Sequence, residues 1–173
     1  MADRDAQLVA ETLSGNRGAY AQLVRAHVGW VGAVAAGVLG DFSAARDVTC
    51  ESFRRGFVSL ASLPDRRRFR PWLYTIAQRT ALDWLRHHQG SQDTSALSPV
   101  GQAEPDARQR VLAEVLALPP HYREAVLLRH VGGLSCAQMA ELTGGDATDA
   151  ELRLARAGLA LAQRLGPPQA ARP

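Results

Sequence analysis

Lysine is absent from this chain: all 20 basic residues among its 173 are arginine. Arginine's planar fork suits bidentate contact with phosphate and carboxylate. A GC-rich genome, which favours Arg, Ala and Gly codons, is the simpler account of the bias. Cysteine is scarce. Cys50 and Cys136 stand 86 positions apart, without a second cysteine or a histidine at metal-ligand spacing. No metal site is expected, and both thiols are expected to be buried or half-buried. No apolar run nears the ~20 residues of a membrane span. The longest, VGWVGAVAAGVLG (Val28 to Gly40), is short and carries four glycines. The opening MADRDAQLVAE is acidic and lacks the basic-then-apolar order of a secretion signal, so a cytoplasmic protein without membrane insertion is expected. No strand-like alternation appears. No Ser-His-Asp set, paired carboxylates or Gly-rich phosphate loop stands out. His27, His87, His88, His121 and His130 have no catalytic company. Neither an enzyme nor a bound cofactor is expected.

What is present is helix. Apolar residues make up 46% of the chain, enough for a core. A short helix is expected from Asp5 to Leu13. A second starts at Ala19, with Leu23, Val24, His27, Val28, Val31 and Val34 at helical spacing. Ser43 reads as the N-cap of a third helix running through DVTCESFRRGFVSL. LASLPDRRR reads as an irregular link. FRPWLYTIAQRTALDWLRHH gives the strongest helix, with Trp72, Ile76, Leu82 and Leu85 inward and Arg79 and Arg86 outward. QGSQDTSALSPVGQAEPDA, residues 89–107, is polar and aperiodic, a flexible linker. Beyond it come RQRVLAEVLAL, a helix starting near Pro120, a short helix capped by Ser135, and a last helix over TDAELRLARAGLALAQRL. The expected fold is all-α: two small helical domains at 1–88 and 108–166, joined by that linker, with a tail at 167–173.

Charge separates the halves. Residues 1–90 carry 12 arginines against 8 acids, a net of +4; residues 91–173 carry 8 against 9, a net of −1. A nucleic-acid partner is better supported in the first half.

In the second half, a short helix, a glycine turn and a second helix make a helix-turn-helix pattern. Leu118-Pro119-Pro120, Arg123-Glu124, Leu128-Arg129 and Gly133-Leu134-Ser135 lead into it. This order resembles the fourth-region domain of bacterial RNA polymerase sigma factors. In the first half, RDVTCESFRRGF (Arg46 to Phe57) is similar to the second-region helix by which sigma factors dock on the clamp of the largest polymerase subunit. FRPWLYTIAQRTALDWLRHH is similar to the helix that recognises and melts the minus-ten element. The two lobes in this order resemble the extracytoplasmic-function group of the sigma-70 family.

The resemblance implies a transcription initiation factor. Asp47, Val48, Glu51, Phe53 and Arg54 would belong to the polymerase-contact helix, with Asp47, Glu51 and Arg54 outward and Val48 and Phe53 more buried. Arg66, Arg67, Arg68, Arg70, Trp72, Arg79 and Arg86 would serve the minus-ten region, since strand opening needs cations along phosphates and a surface for an unstacked base. Trp72 also fits core packing by its helical spacing. Ser135, Thr148, Glu151, Arg153 and Arg156 would face the upstream element. The implied partners are core polymerase (clamp and flap), promoter DNA and an anti-sigma protein.

One departure stands out. Where related reading helices carry Lys, this chain has Glu151, and a second Arg has become Gly158. Thr148 or Asp149 can cap that helix, and first-turn acids favour its dipole. Exchanging Lys for Glu nonetheless changes local charge by two units beside a polyanion. A weak or unusual upstream reader is expected. The alternatives are a sigma-like decoy that binds an anti-sigma protein without reading promoters, and a stand-alone helix-turn-helix repressor, which leaves the clamp-like helix unexplained.

Overall fold

The computed structural model describes residues 2–88 and 107–165. The linker and tail assigned above lie outside the described residues, apart from Ala107, which begins a helix. Eight α-helices follow in order: α1 Ala2–Leu13, α2 Arg17–Leu39, α3 Phe42–Ser59, α4 Phe69–His88, α5 Ala107–Leu116, α6 Pro120–His130, α7 Cys136–Thr143 and α8 Ala147–Leu165. Two 3-10 turns, Leu60–Ser62 and Arg66–Arg68, replace the irregular link between α3 and α4. No strand occurs among the described residues.

Local chemistry sets the helix ends. The Asn16 side chain accepts from the Gly18 and Ala19 N–H groups to start α2, and Gly40 ends it at φ 70°. Asp41, not Ser43, caps α3, accepting from the Ser43 and Ala44 N–H groups. A carboxylate oxygen satisfies these orphan donors at least as well as a hydroxyl does. Ser135 caps α7 in a reciprocal box with Gln138. Gly144, at φ 74°, supplies the left-handed turn into α8.

Around α2 the first lobe packs α1, α3 and α4. Val9, Leu23, Val31, Val34, Val48, Phe69 and Leu73 are fully buried, each worth about 1.5–3 kcal/mol of burial. By length and apolarity α2 alone among the described helices could cross a membrane, but half of that stretch is buried within the bundle. It is longer than its apolar run because Leu23, His27 and Trp30 continue the inward stripe toward the N-terminus. Val28 is exposed. His27, expected among the apolar positions, is buried with polar company. The Trp30 indole donates to its Nδ1 (3.0 Å), and Nε2 lies 3.1 Å from Asp5 Oδ1, close but poorly aligned. This contact ties α1 to the core.

The inward face of α4 differs from expectation. Phe69, Leu73, Ala77, Thr80 and Ala81 are buried, whereas Leu82 is exposed and Ile76 and Leu85 are half-buried. Small residues let α2 and α3 approach closely, so the larger apolar side chains rotate to the flank. The second lobe packs α5 to α8 around Val115, Leu127, Leu128, Met139, Leu142 and Ala157. Its α6 lies along α2, and α7 touches α4. The two lobes therefore share one apolar cluster.

Candidate functional site

Residues on α3 divide between core and surface by helical period. Val48 and Phe53 are buried in the first lobe. They pack beneath the exposed face of α3 and support it from within. Asp47 and Arg54 are exposed, and Glu51 is half-buried beside them. Cys50 is exposed on the same helix, against the expectation of burial, and Cys136 is half-buried. The Glu51 carboxylate accepts from Arg54 Nε (2.6 Å) and Nη2 (2.7 Å) and from Arg55 Nε (2.9 Å). These guanidiniums hold its carboxyl down at about 2. Arg55 then reaches Asp83 on α4 at 3.0 Å, and Asp83 pairs with Arg86 at 2.9 Å. A chain of alternating charge thus runs from Arg54 to Arg86. Arg55 and Asp83 were missed in the sequence. The Glu51–Arg55 spacing of four was readable, but the step to α4 was not.

Five arginines of the first lobe form an uneven cationic surface. Arg66, Arg67 and Arg68 project from the 3-10 turn that Asp65 caps. Arg67 lies 3.5 Å from Asp3, both exposed. Arg79 is exposed on α4 and has no ion-pair partner among the described residues. Arg86 is exposed but engaged by Asp83. Arg70 does not belong with them. It is 6% exposed, and its buried Nε has no hydrogen-bond partner. It lies next to Phe69 on the inward stripe of α4. Trp72 is half-buried, tilted against Phe69 with ring centroids 6.0 Å apart; packing accounts for it.

In the second lobe Ser135 is exposed, but its hydroxyl is occupied by the α7 cap. Thr148, Glu151 and Arg156 are exposed on α8. The helix starts one residue earlier than expected, and Asp146, not Thr148 or Asp149, caps it, accepting from the Thr148 N–H at 3.0 Å. Asp149 is thereby released from capping and pairs with Arg153 at 2.5 Å. The far end of α8 is tied to α5 through Arg164, which contacts Glu114 at 3.2 Å and donates to the Ala117 carbonyl. Among the described residues no group of His, Cys, Asp and Glu is placed to hold a metal.

The arrangement places exposed arginines near the charged face of α3, and a helix-turn-helix whose second helix carries acids and arginines together. Comparison with known proteins gives the family. Residues 23–90 match the family description Sigma-70 region 2, and residues 108–161 match Sigma-70, region 4. The chain is 33% identical over 158 residues to a probable RNA polymerase sigma factor, RfaY, of Xanthomonas campestris, covering 83% of this chain and 40% of that relative's length. It is 30% identical to the ECF RNA polymerase sigma factor SigC of Mycobacterium tuberculosis, covering 71% of each. Among solved structures, CnrH in complex with the cytosolic domain of CnrY is similar at a TM-score of 0.67 and 25% identity, covering 94% of this chain and 97% of that one.

Proposed function

The chain belongs to the extracytoplasmic-function group of the sigma-70 family, the promoter-directing sigma factors, and on that premise we propose how its two lobes divide the work. The first lobe, 1–88, docks on the clamp of the largest polymerase subunit through the exposed face of α3: Asp47, Glu51 and Arg54. Its arginines at 66, 67, 68 and 79 hold the separated minus-ten strand by its phosphates, and the polymerase supplies the chemistry. The linker, 89–107, runs through the polymerase cleft. The second lobe, 108–166, contacts the flap and reads the upstream element through Arg153 and Arg156, ahead of the tail at 167–173. An anti-sigma protein regulates the factor in the cytoplasm.

The observation that carries this reading is the junction of α3 and α4. The charged face of α3 lies next in the chain to the Arg66–Arg68 turn and is bridged by Arg55 and Asp83 to α4, which carries Arg79. Reconstituted run-off transcription with core polymerase and genomic fragments tests it. Defined transcripts that require the chain are expected, and their absence would overturn the reading.

A second reading rests on the Asp149–Arg153 pair together with Glu151, which leave the reading helix poor in free cations. In that case the chain is a decoy, binding an anti-sigma protein while failing to start transcription. Co-purification with core polymerase and the run-off assay separate the two.

A further inference from the structure

We propose that the exposed face of α8 is a docking seam for a second copy of this chain, with the two α8 helices lying parallel, and that this pairing covers the side chains assigned to the upstream element. Only that last consequence rests on the sigma reading; the seam itself stands on the geometry and charge of α8.

The helix has two distinct sides. Ala147, Ala150, Leu154, Ala157 and Leu161 are buried or half-buried against the second lobe, and Arg164 on the same side reaches Glu114 of α5. Opposite them, Thr148, Leu152, Ala155, Leu159 and Ala162 are all exposed, at successive spacings of four, three, four and three. That is the alternation by which the a and d positions of a coiled coil stay on one seam. Leu152 is 46% exposed and Leu159 67%. Single exposed leucines are ordinary on a soluble protein. Two on one seam, with alanine between and beyond them, form an apolar stripe of the kind that marks a protein contact.

Gly158 lies beside the stripe. In mid-helix, glycine is destabilising relative to alanine. A Cβ there would meet nothing within 4 Å among the described residues, so the chain's own packing does not call for glycine. A neighbouring helix would: with Ala155 and Ala162 it leaves room for a second backbone to approach closely.

Charge selects the occupant. In a parallel pair, the residue just before an a position of one helix faces the residue just after the next d position of the other. Glu151 precedes Leu152, and Arg156 follows Ala155. Glu151 of one copy therefore lies against Arg156 of the other, and the two-fold axis repeats the pair. Neither side chain makes an ion pair or a side-chain hydrogen bond among the described residues. In the antiparallel register that sets each leucine against an alanine, Arg156 would face its own copy, and like charges oppose that. A partner of one charge sign would match only one of the two flanks. A second copy matches both.

Five seam positions a side fall short of the roughly 20–30 residues of a standard interface, so the dimer is weak and forms with concentration. Two heptads would not pair as free peptides, because each would carry the cost of helix nucleation. Here α8 is already folded on its own lobe. Once paired, Thr148, Glu151 and Arg156 lie in or beside the seam and are withheld from DNA, so self-association and upstream reading exclude one another.

Sedimentation of the full chain, without polymerase or DNA, between about 1 µM and about 1 mM should show a reversible shift from one copy to two. Leu159→Asp should abolish the shift with helix content unchanged. Glu151→Arg and Arg156→Glu should each weaken association by about 10-fold, and the double variant should recover it. In a chain with Cys50→Ser and Cys136→Ser, Ala155→Cys should oxidise to a disulfide dimer, because equivalent d positions meet in a parallel pair. That dimer should bind duplex DNA at least ~10-fold more weakly than the same protein after reduction, within the range of ordinary coupled equilibria. A chain that stays monomeric throughout, a dimer indifferent to Leu159→Asp, or a double variant that fails to recover overturns the seam. Equal DNA binding by the crosslinked and reduced forms overturns the competition. Should the monomeric Leu159→Asp chain and the wild type both direct no transcript in the run-off assay, the sigma reading falls instead, and the sedimentation result is untouched.

Discussion

Asp149 and Arg153 stand one turn apart on α8, and their side chains meet at 2.5 Å. The first arginine of this helix is already engaged by a carboxylate of the same helix. Asp149, more directly than Glu151, offsets the positive charge of Arg153.

Removing that carboxylate should therefore strengthen DNA binding. Asp149→Ala is expected to tighten the full chain on many duplex sequences and steepen the salt dependence by about 0.9 for one added phosphate contact. Glu151→Lys should act in the same direction, and Arg153→Ala in the opposite one. Titrations at several salt concentrations measure this. If Asp149→Ala left the slope unchanged, Arg153 would be no phosphate contact.

The docking face should depend on charge in a pH-insensitive way. Asp47→Arg with Glu51→Arg is expected to weaken assembly with core polymerase by ~10-fold or more while circular dichroism stays unchanged. The Glu51 carboxyl sits at about 2 because Arg54 and Arg55 donate to it. A depressed carboxyl contributes above its usual range and loses that contribution only as pH falls through the lowered value. Core affinity should thus show no Glu51-linked titration between pH 6 and 9. A carboxylate titration in that window, abolished by Glu51→Gln, contradicts the assignment.

Arginines close in sequence should behave differently. Neutralising Arg66, Arg67 and Arg68 with Gln should reduce open complexes, seen by permanganate footprinting, and flatten their salt dependence. Arg70→Ala should instead cost roughly 2 kcal/mol or more of stability through lost packing of its buried stem. Its salt slope should match wild type. Intact footprints in the triple variant would reduce the cluster to a solvated turn.

Glu124 offers a test of stability against pH. Burial pushes its carboxyl above the usual carboxylate range, with Tyr74, Gln78 and Arg153 opposing. A raised carboxyl stabilises the fold fully below its unfolded value, and that contribution is lost as pH rises through the raised one. Glu124→Gln keeps an acceptor for Tyr74 and has no such loss. Its melting temperature relative to wild type should therefore be higher at pH 8 than at pH 5. A difference that stays constant or reverses rules out a buried, destabilised carboxylate.

Much of the architecture is written locally. Helical periodicity, the Ser135 cap with Gln138 three residues on, the glycine at 144 and the polar break after His88 are each signals within one turn or one segment. They are enough for an all-helical chain with two lobes in a recognisable order and with Asp47, Glu51 and Arg54 facing outward. Even the Asp149–Arg153 pair lies at a readable spacing of four. Once Asp146 is recognised as the cap, Asp149 is left without a local role.

Tertiary structure decided the rest, because packing compares residues far apart in the chain. Ala77 and Ala81 carry little hydrophobic signal, yet they let neighbouring helices close in, and that rotation buries Arg70 and turns Leu82 out. Arg55 meets Asp83 across 28 positions, and Arg123 finds the end of α2 across 86. Gly37 and Gly132 read as ordinary glycines until Glu124 beside the first, and the Leu128 carbonyl and Trp30 beside the second, show why a Cβ has no room. The sequence by itself determined which segments are helices, in what order, and which family they resemble. Only the folded chain decided which arginines remain free and how the two lobes hold one another, because close contact depends on the geometry of both surfaces at once.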